Sequence, residues 1–302
     1  SGFDVGIVGA GLSTTSILPT SCYQAPDAFR LSTPSFTTFS PDFDVDMQTM
    51  VVRDLGDVAI PIIDQYNALG RIEDTMERLW VANPERFLIL IGGDHAVTAP
   101  AARAFARAHK DHKMGLIHFD AHNDVRVMEH GPTNGTPIRQ LLESGLSFEG
   151  KNLVQVGIHG FMNSSYYKRW VEGHGGTIFT GRQMRNSRIE DIVQQAIDIA
   201  GRGTDSIYVT VDIDVLELGY VPGTGAASPE GIHPMDLYEA LFMLGQHPKV
   251  AAIDFVEHDP STDVVRITGR TMTGAVLSFM SGLFLRRNDG WCGYDRTPIT
   301  GD

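Results

Sequence analysis

The sequence predicts an α/β fold, a mostly parallel sheet covered by helices on both faces. Three observations predict it. Short apolar runs of strand length alternate along the chain with segments whose apolar residues recur at helical spacing. The runs are apolar throughout, as strands buried on both sides are. Acids and histidines able to do chemistry follow directly after several runs, where open sheets of this kind bind their ligands. The chain has 302 residues, 42% of them hydrophobic, enough for a large core. It shows no internal repeat, low-complexity tract or flexible linker, so residues 1–302 read as one domain.

The elements follow in order. Residues 3–9 read as a first buried strand, followed by a polar Ser/Thr loop over 13–21 and a short helix over 26–30. Residues 32–46 are rich in Pro, Ser and Thr and read as irregular surface, and 50–55 as a short strand. Residues 60–81 read as mostly helical, with Leu69, Ile72, Met76 and Leu79 on one stripe and Asn83-Pro84 as the stop. A strand over 87–91 precedes Gly92-Gly93 and a helix over 98–109. A strand over 114–119 precedes a long loop, 125–136, after which Pro137 suits the first turn of a helix through 142. Strands over 152–158, 206–211 and 250–256 alternate with helices over 164–172, 189–200 and 234–244. The last helix, 268–285, is apolar and reads as core rather than membrane.

Composition bounds the partners. The formal net charge of −13 argues against a non-specific nucleic-acid or anionic-membrane surface. No apolar run approaches the roughly 20 residues of a membrane span. Two cysteines, Cys22 and Cys292, make no disulfide framework and suit a reducing compartment; with no signal-peptide pattern at the start, they point to the cytoplasm.

The chemistry gathers at three strand ends. Phe119-Asp120-Ala121-His122-Asn123-Asp124 ends one strand, Asp212-Ile213-Asp214 another, and Gly92-Gly93-Asp94-His95 a third. If extension continues, Asp120, His122 and Asp124 share a face. Together with His95, Asp212 and Asp214 they make four carboxylates and two imidazoles, a set that suits a pair of divalent ions and exceeds what one catalytic ion takes. Two ions about 3.5–4 Å apart lower the pKa of water toward neutrality and generate a nucleophile. The lack of thiolate ligands argues against structural zinc.

These three stretches, with Val221-Pro222-Gly223-Thr224-Gly225, resemble in order the ureohydrolases, the family of arginase and agmatinase. Asp124-Val125-Arg126, Asn134-Gly135-Thr136-Pro137 and the stretch from Val156 to Ser164 are similar to the formimidoylglutamase branch. The resemblance implies a three-layer α/β/α fold, a trimer or hexamer, and a binuclear manganese centre, with nickel used by some relatives. It implies His95, Asp120, Asp124 and Asp212 on one ion and Asp120, His122, Asp212 and Asp214 on the other, Asp120 and Asp212 bridging. It implies that Glu257 grips the planar amidine or guanidinium cation, as a carboxylate does parallel N–H donors. Asp124 and Asp214 then stand as proton carriers, and Asn123, Arg126, Asn134 and His159 as substrate contacts, Arg126 on a carboxylate. The implied activity is hydrolysis of N-formimidoyl-L-glutamate to glutamate and formamide.

Departures from the family pattern leave the substrate open. Asn134 stands where arginases carry a histidine, and Glu217 and Glu230 where the family has Asp and Gly. An amide cannot act as general acid, so the leaving amine takes its proton from a carboxylate, or from His130 in the same loop. Agmatine, a guanidino acid or a biguanide are the alternative substrates, and an inactive metal-binding partner subunit of a hetero-oligomer is the rival reading. Gly9-Ala10-Gly11 imitates a dinucleotide fingerprint, but Thr14 stands at the third glycine.

Overall fold

The computed structural model describes residues 2–61, 63–129 and 131–288. Its centre is an eight-stranded sheet. In chain order the strands are β1 (Val5–Ala10), β2 (Phe39–Ser40), β3 (Val45–Asp46), β4 (Val52–Asp57), β5 (Phe87–Gly92), β6 (Met114–Phe119), β7 (Phe148–Ile158), β8 (Thr177–Thr180), β9 (Ser206–Asp212) and β10 (Val250–Val256). The sheet order is β4-β1-β5-β10-β9-β6-β7-β8, with every pairing parallel; β2 and β3 form a separate antiparallel hairpin. β1, β5, β6 and β9 are buried at every residue, which accounts for their unbroken apolar runs.

Alternation along each strand sends side chains to two cores. Ile89, Ile91, Val209 and Val211 face α1 (Ala25–Ser32), α7 (Ile189–Ala200), α8 (Pro234–Gln246) and α9 (Ile267–Asn288). Leu88, Leu90, Leu116 and Tyr208 face α2 (Gln65–Ala82), α3 (Thr98–Ala108), α4 (Pro137–Leu142) and α5 (Ser165–Gly173). The result is the three-layer α/β/α arrangement.

Most predicted elements stand within a few residues of their expected bounds. α2 starts later than its periodicity suggests, because Asp64 caps it by accepting the Asn67 N–H at 3.0 Å. Residues 32–46 are not irregular surface throughout: they hold the β2–β3 hairpin, and Val45 and Met47 enter the core. β8 and α6 (Gly181–Arg185) were not predicted either, the latter opened by a capping box between Thr180 and Gln183. α9 is core, its buried residues packed on α8 and the sheet. Gly9 and Gly11 serve close packing: a Cβ on Gly11 would lie 2.3 Å from the Tyr23 carbonyl oxygen, and no helix starts before residue 22.

Candidate metal centre and active-site cavity

β5, β10, β9 and β6 are neighbours at the middle of the sheet, and parallel strands lie about 4.8 Å apart. The residues just past their carboxyl ends therefore converge. Asp94 and His95 follow β5, Glu257 follows β10, Asp212 and Asp214 close β9, and the segment 120–124 follows β6.

The six predicted ligands meet there, in two groups. His95 Nδ1 lies 3.2 Å from Asp120 Oδ2, 3.0 Å from Asp124 Oδ2 and 3.2 Å from Asp212 Oδ2. His122 Nδ1 lies 3.2 Å from Asp120 Oδ1 and 3.0 Å from Asp214 Oδ2. One oxygen of Asp120 thus belongs to each group.

The convergence does not come from an extended strand, as the shared-face expectation had it. The ladder ends at Phe119, paired with Val156. Asp120 then accepts the His122 N–H at 2.5 Å, an Asx-type turn, and Asp124 takes a left-handed φ of 51°. This curl wraps His122 and Asp124 around Asp120. A second turn does the same on β9, where Asp212 Oδ1 accepts the Asp214 N–H at 2.8 Å. Asp214 Oδ1 accepts the Ala121 N–H at 3.1 Å and ties the two loops together.

The hydrogen bonds place a proton on one nitrogen of His95. The Thr210 hydroxyl donates to Asp254 at 2.5 Å, so toward His95 Nε2, at 3.0 Å, it accepts. Nε2 therefore carries a proton, and Nδ1 faces three carboxylate oxygens; burial opposes charge on His95, but Asp120, Asp124 and Asp212 hold its pKa well above the ordinary value. Nδ1 is buried and has no hydrogen-bond partner. Three carboxylates packed around one imidazole nitrogen repel one another unless positive charge stands among them, so the donor set fits a divalent metal. Burial opposes charge on His122, yet Asp214 and Asp120 push it up to about 12, a second sign that this nest of acids calls for positive charge. Burial, then the charges of Asp214 and Asp120, push Asp212 well above the usual carboxylate range.

Sequence reasoning passed over His118, which it read as part of an apolar strand. His118 is fully buried; Gln155 Nε2 donates to its Nδ1 at 3.0 Å, so its Nε2–H donates to Asp120 Oδ2 at 2.6 Å. Geometry alone groups His118 with His95, Asp120 and Asp124 as a conceivable ligand. Both of its ring nitrogens are engaged, which makes it a support for Asp120 instead. A polar residue at an inward strand position was the available signal.

Above the acids opens a cavity of about 340 Å³, whose wall includes His122, Asp124, Asp212, Asp214, Glu257 and Arg126. Glu257 has a left-handed φ of 66°, as Asp124 does, and such strain gathers at functional sites. Its Oε1 accepts the His95 N–H at 2.8 Å and Asn134 Nδ2 at 3.1 Å. Burial and the Asp94 charge push Glu257 up to about 8 against those two bonds. Asn134 also accepts the Ile17 N–H at 3.0 Å, so it braces Glu257 and the rim loop. Asn123 lines the cavity, but its Nδ2 is spent on Gln155 at 2.7 Å. Asn163, also in the wall, clamps the 121–123 turn through bonds with Asn123 N and Ala121 O. His159 does not reach the cavity: its Nδ1 turns back to the Gly157 carbonyl at 2.6 Å. His130 and Cys292 lie outside the described residues.

A family model described as the arginase family matches residues 3–282. The chain belongs to the arginase family. A formimidoylglutamase of Halalkalibacterium halodurans is 37% identical over 278 residues, covering 92% of this chain and 86% of that protein. The crystal structure of formimidoylglutamase from Bacillus subtilis superposes with a TM-score of 0.89 at 31% identity, covering 94% of this chain and 88% of that one. A Trypanosoma cruzi formiminoglutamase solved with Mn2+ shares the fold, with a TM-score of 0.83 at 24% identity and coverage of 93% and 94%. This arginase-family chain is a formimidoylglutamase-like, metal-dependent amidine hydrolase. Among the described residues no helix is long and apolar enough to cross a membrane.

Proposed function

We propose that the protein hydrolyses N-formimidoyl-L-glutamate to L-glutamate and formamide with two divalent ions, Mn2+ in preference to Ni2+. The observation that carries this reading is the convergence of three carboxylates on the buried His95 Nδ1, and of two more carboxylate oxygens on His122 Nδ1, beneath a cavity whose wall includes Glu257 and Arg126. The ligand sets are those the family pattern implies: His95, Asp120, Asp124 and Asp212 for one ion, Asp120, His122, Asp212 and Asp214 for the other. The split of Asp120 between the two imidazoles supports its bridging role. When bound, the ions lower the pKa of water toward neutrality and favour its attack at the amidine carbon.

The chain's own groups do the rest. Glu257 accepts the parallel N–H donors of the amidinium, held for that by His95 N–H and Asn134. Arg126 meets a substrate carboxylate at the cavity wall. Asp124 and Asp214 both border the cavity and take the proton released as water adds. The C–N bond to the amino acid breaks, and the proton passes to the leaving amine, giving glutamate and formamide. Arg126 favours an acid-bearing substrate over agmatine, whose far end is itself a cation.

We further propose a cytoplasmic homo-oligomer, a trimer or hexamer. Exposed Leu31, Val264 and Val265 support association, since α1 packs beside the start of α9. The test of function is a panel of amidines and guanidines assayed with Mn2+ and Ni2+, scoring formamide, urea and ammonia separately. Formamide from the formimidoyl amino acid is expected. Urea from agmatine or a guanidino acid, with the formimidoyl compound inert, rejects this substrate.

A further inference from the structure

We infer that Gly135 and Tyr167 set which amidines are accepted, by holding the Arg126 guanidinium at a set reach from Glu257, so that the site selects amidines carrying a carboxylate at one distance. The inference rests on the reading of Arg126 as the carboxylate grip. Arg126 is exposed and borders the cavity, and its guanidinium donates to no side-chain or backbone acceptor among the described residues. A free arginine side chain loses rotamer freedom when it binds, so a specific grip needs it held beforehand.

Two contacts hold it. The stem crosses Gly135, where a Cβ would stand 2.6 Å from Arg126 Cδ and 2.8 Å from Nε, so a side chain there would displace the arginine from this path. The guanidinium carbon lies 5.8 Å from the centroid of the Tyr167 ring, within cation–π range. Tyr167 also borders the cavity, so the arginine is stayed on the side a ligand enters. The backbone is tied as well: Arg126 N–H donates to the Gly135 carbonyl at 2.8 Å.

The neighbouring residue holds the opposite grip. Asn134 donates to Glu257 Oε1 at 3.1 Å. Adjacent backbone positions, 134 and 135, therefore position the acid that meets the amidinium and the cation that meets the carboxylate. Opposite charges held at one spacing favour amidino acids of matching length. An amine-ended amidine meets repulsion at Arg126 instead.

The test compares kcat/KM for an N-formimidoyl amino acid and for an N-alkylformamidine of equal carbon number without the acid. Wild type, Gly135→Ala, Tyr167→Leu and Tyr167→Phe are assayed at matched metal content. Wild type is expected to prefer the acid. Gly135→Ala and Tyr167→Leu are expected to lose roughly 10-fold of that preference through KM, the scale of one charge-assisted hydrogen bond, while Tyr167→Phe keeps it by keeping the ring face. If Gly135→Ala fails to fold, Tyr167→Leu against Tyr167→Phe decides. Equal losses on both substrates, or an unchanged preference in both variants of an acid-preferring enzyme, overturn this inference alone. A wild type with no preference for the acid overturns the reading of Arg126 and this inference with it.

Discussion

Asp120 shows how much one buried carboxylate is asked to do. Its Oδ1 faces His122 Nδ1 and accepts the His122 N–H, and its Oδ2 faces His95 Nδ1 and accepts His118 Nε2–H. His118→Phe should keep the fold and weaken metal binding by about 10- to 100-fold, the usual cost of losing a group that orients a ligand. Titration calorimetry with Mn2+ reads this directly, and an unchanged affinity counts against the supporting role. Asp212→Ala should lose metal occupancy and activity together, checked by metal analysis; a fully active, metal-free preparation sinks the two-ion reading. At Asn134 the amide braces Glu257 and the rim, and it cannot titrate near neutrality. Asn134→Ala should mainly raise KM, whereas His130→Ala should keep most of its turnover. A loss in His130→Ala of about 100-fold or more, the size expected for a general acid or base, would show that the proton route runs through it.

At the scale of elements, the carboxyl ends of four adjacent strands make the site, and the helices hold those strands still. α8 and α9 approach closely because glycines face backbone at their crossing. A Cβ on Gly282 would lie 2.0 Å from the Phe242 carbonyl oxygen, and one on Gly245 would lie 2.2 Å from that of Phe279. Gly282→Ala must push the helices apart or bend them, and should destabilise the protein by about 1–3 kcal/mol, typical of overpacking. Denaturant unfolding measures it, and a midpoint equal to wild type rejects the close crossing. The small elements that the sequence hid were hidden for local reasons. β8 has four residues, of which only Phe179 is buried, and β2 and β3 have two each, too short for any periodicity.

For the whole molecule, metal binding and stability are linked, because an ion that binds the folded centre and not the unfolded chain raises Tm. Chelation should lower Tm, and Mn2+ should restore it in a concentration-dependent way, read by differential scanning calorimetry. Asp212→Ala should abolish the restoration. The proposed association belongs to the same scale. Leu31 is 62% exposed and Val265 74% exposed, and burying both in an interface answers that exposure. Light scattering at micromolar concentration should give a trimer or hexamer, and Leu31→Glu with Val265→Asp should lower the mass; a monomeric wild type contradicts the proposal.

The sequence by itself determined the layered α/β class, the main strands and helices, the arginase-family membership and the six metal-ligand candidates. It could, because apolar runs, helical periodicity and the Asp/His motifs are local in the chain and each follows its own strand. Only the tertiary structure decided which carboxylate oxygens face which imidazole, that His122 and Asp124 reach their partners by a turn rather than along a strand, and that His159 Nδ1 turns back to the Gly157 carbonyl. It alone revealed that Thr210 and Asp254 set the proton on His95, that Gln155 sets the proton on His118, and that Asn134 braces Glu257. These contacts join residues 37 to 123 apart in sequence. Which nitrogen holds a proton, and which oxygen faces which imidazole, depends on partners delivered by neighbouring strands of the folded sheet, and no stretch of the chain read alone contains both partners.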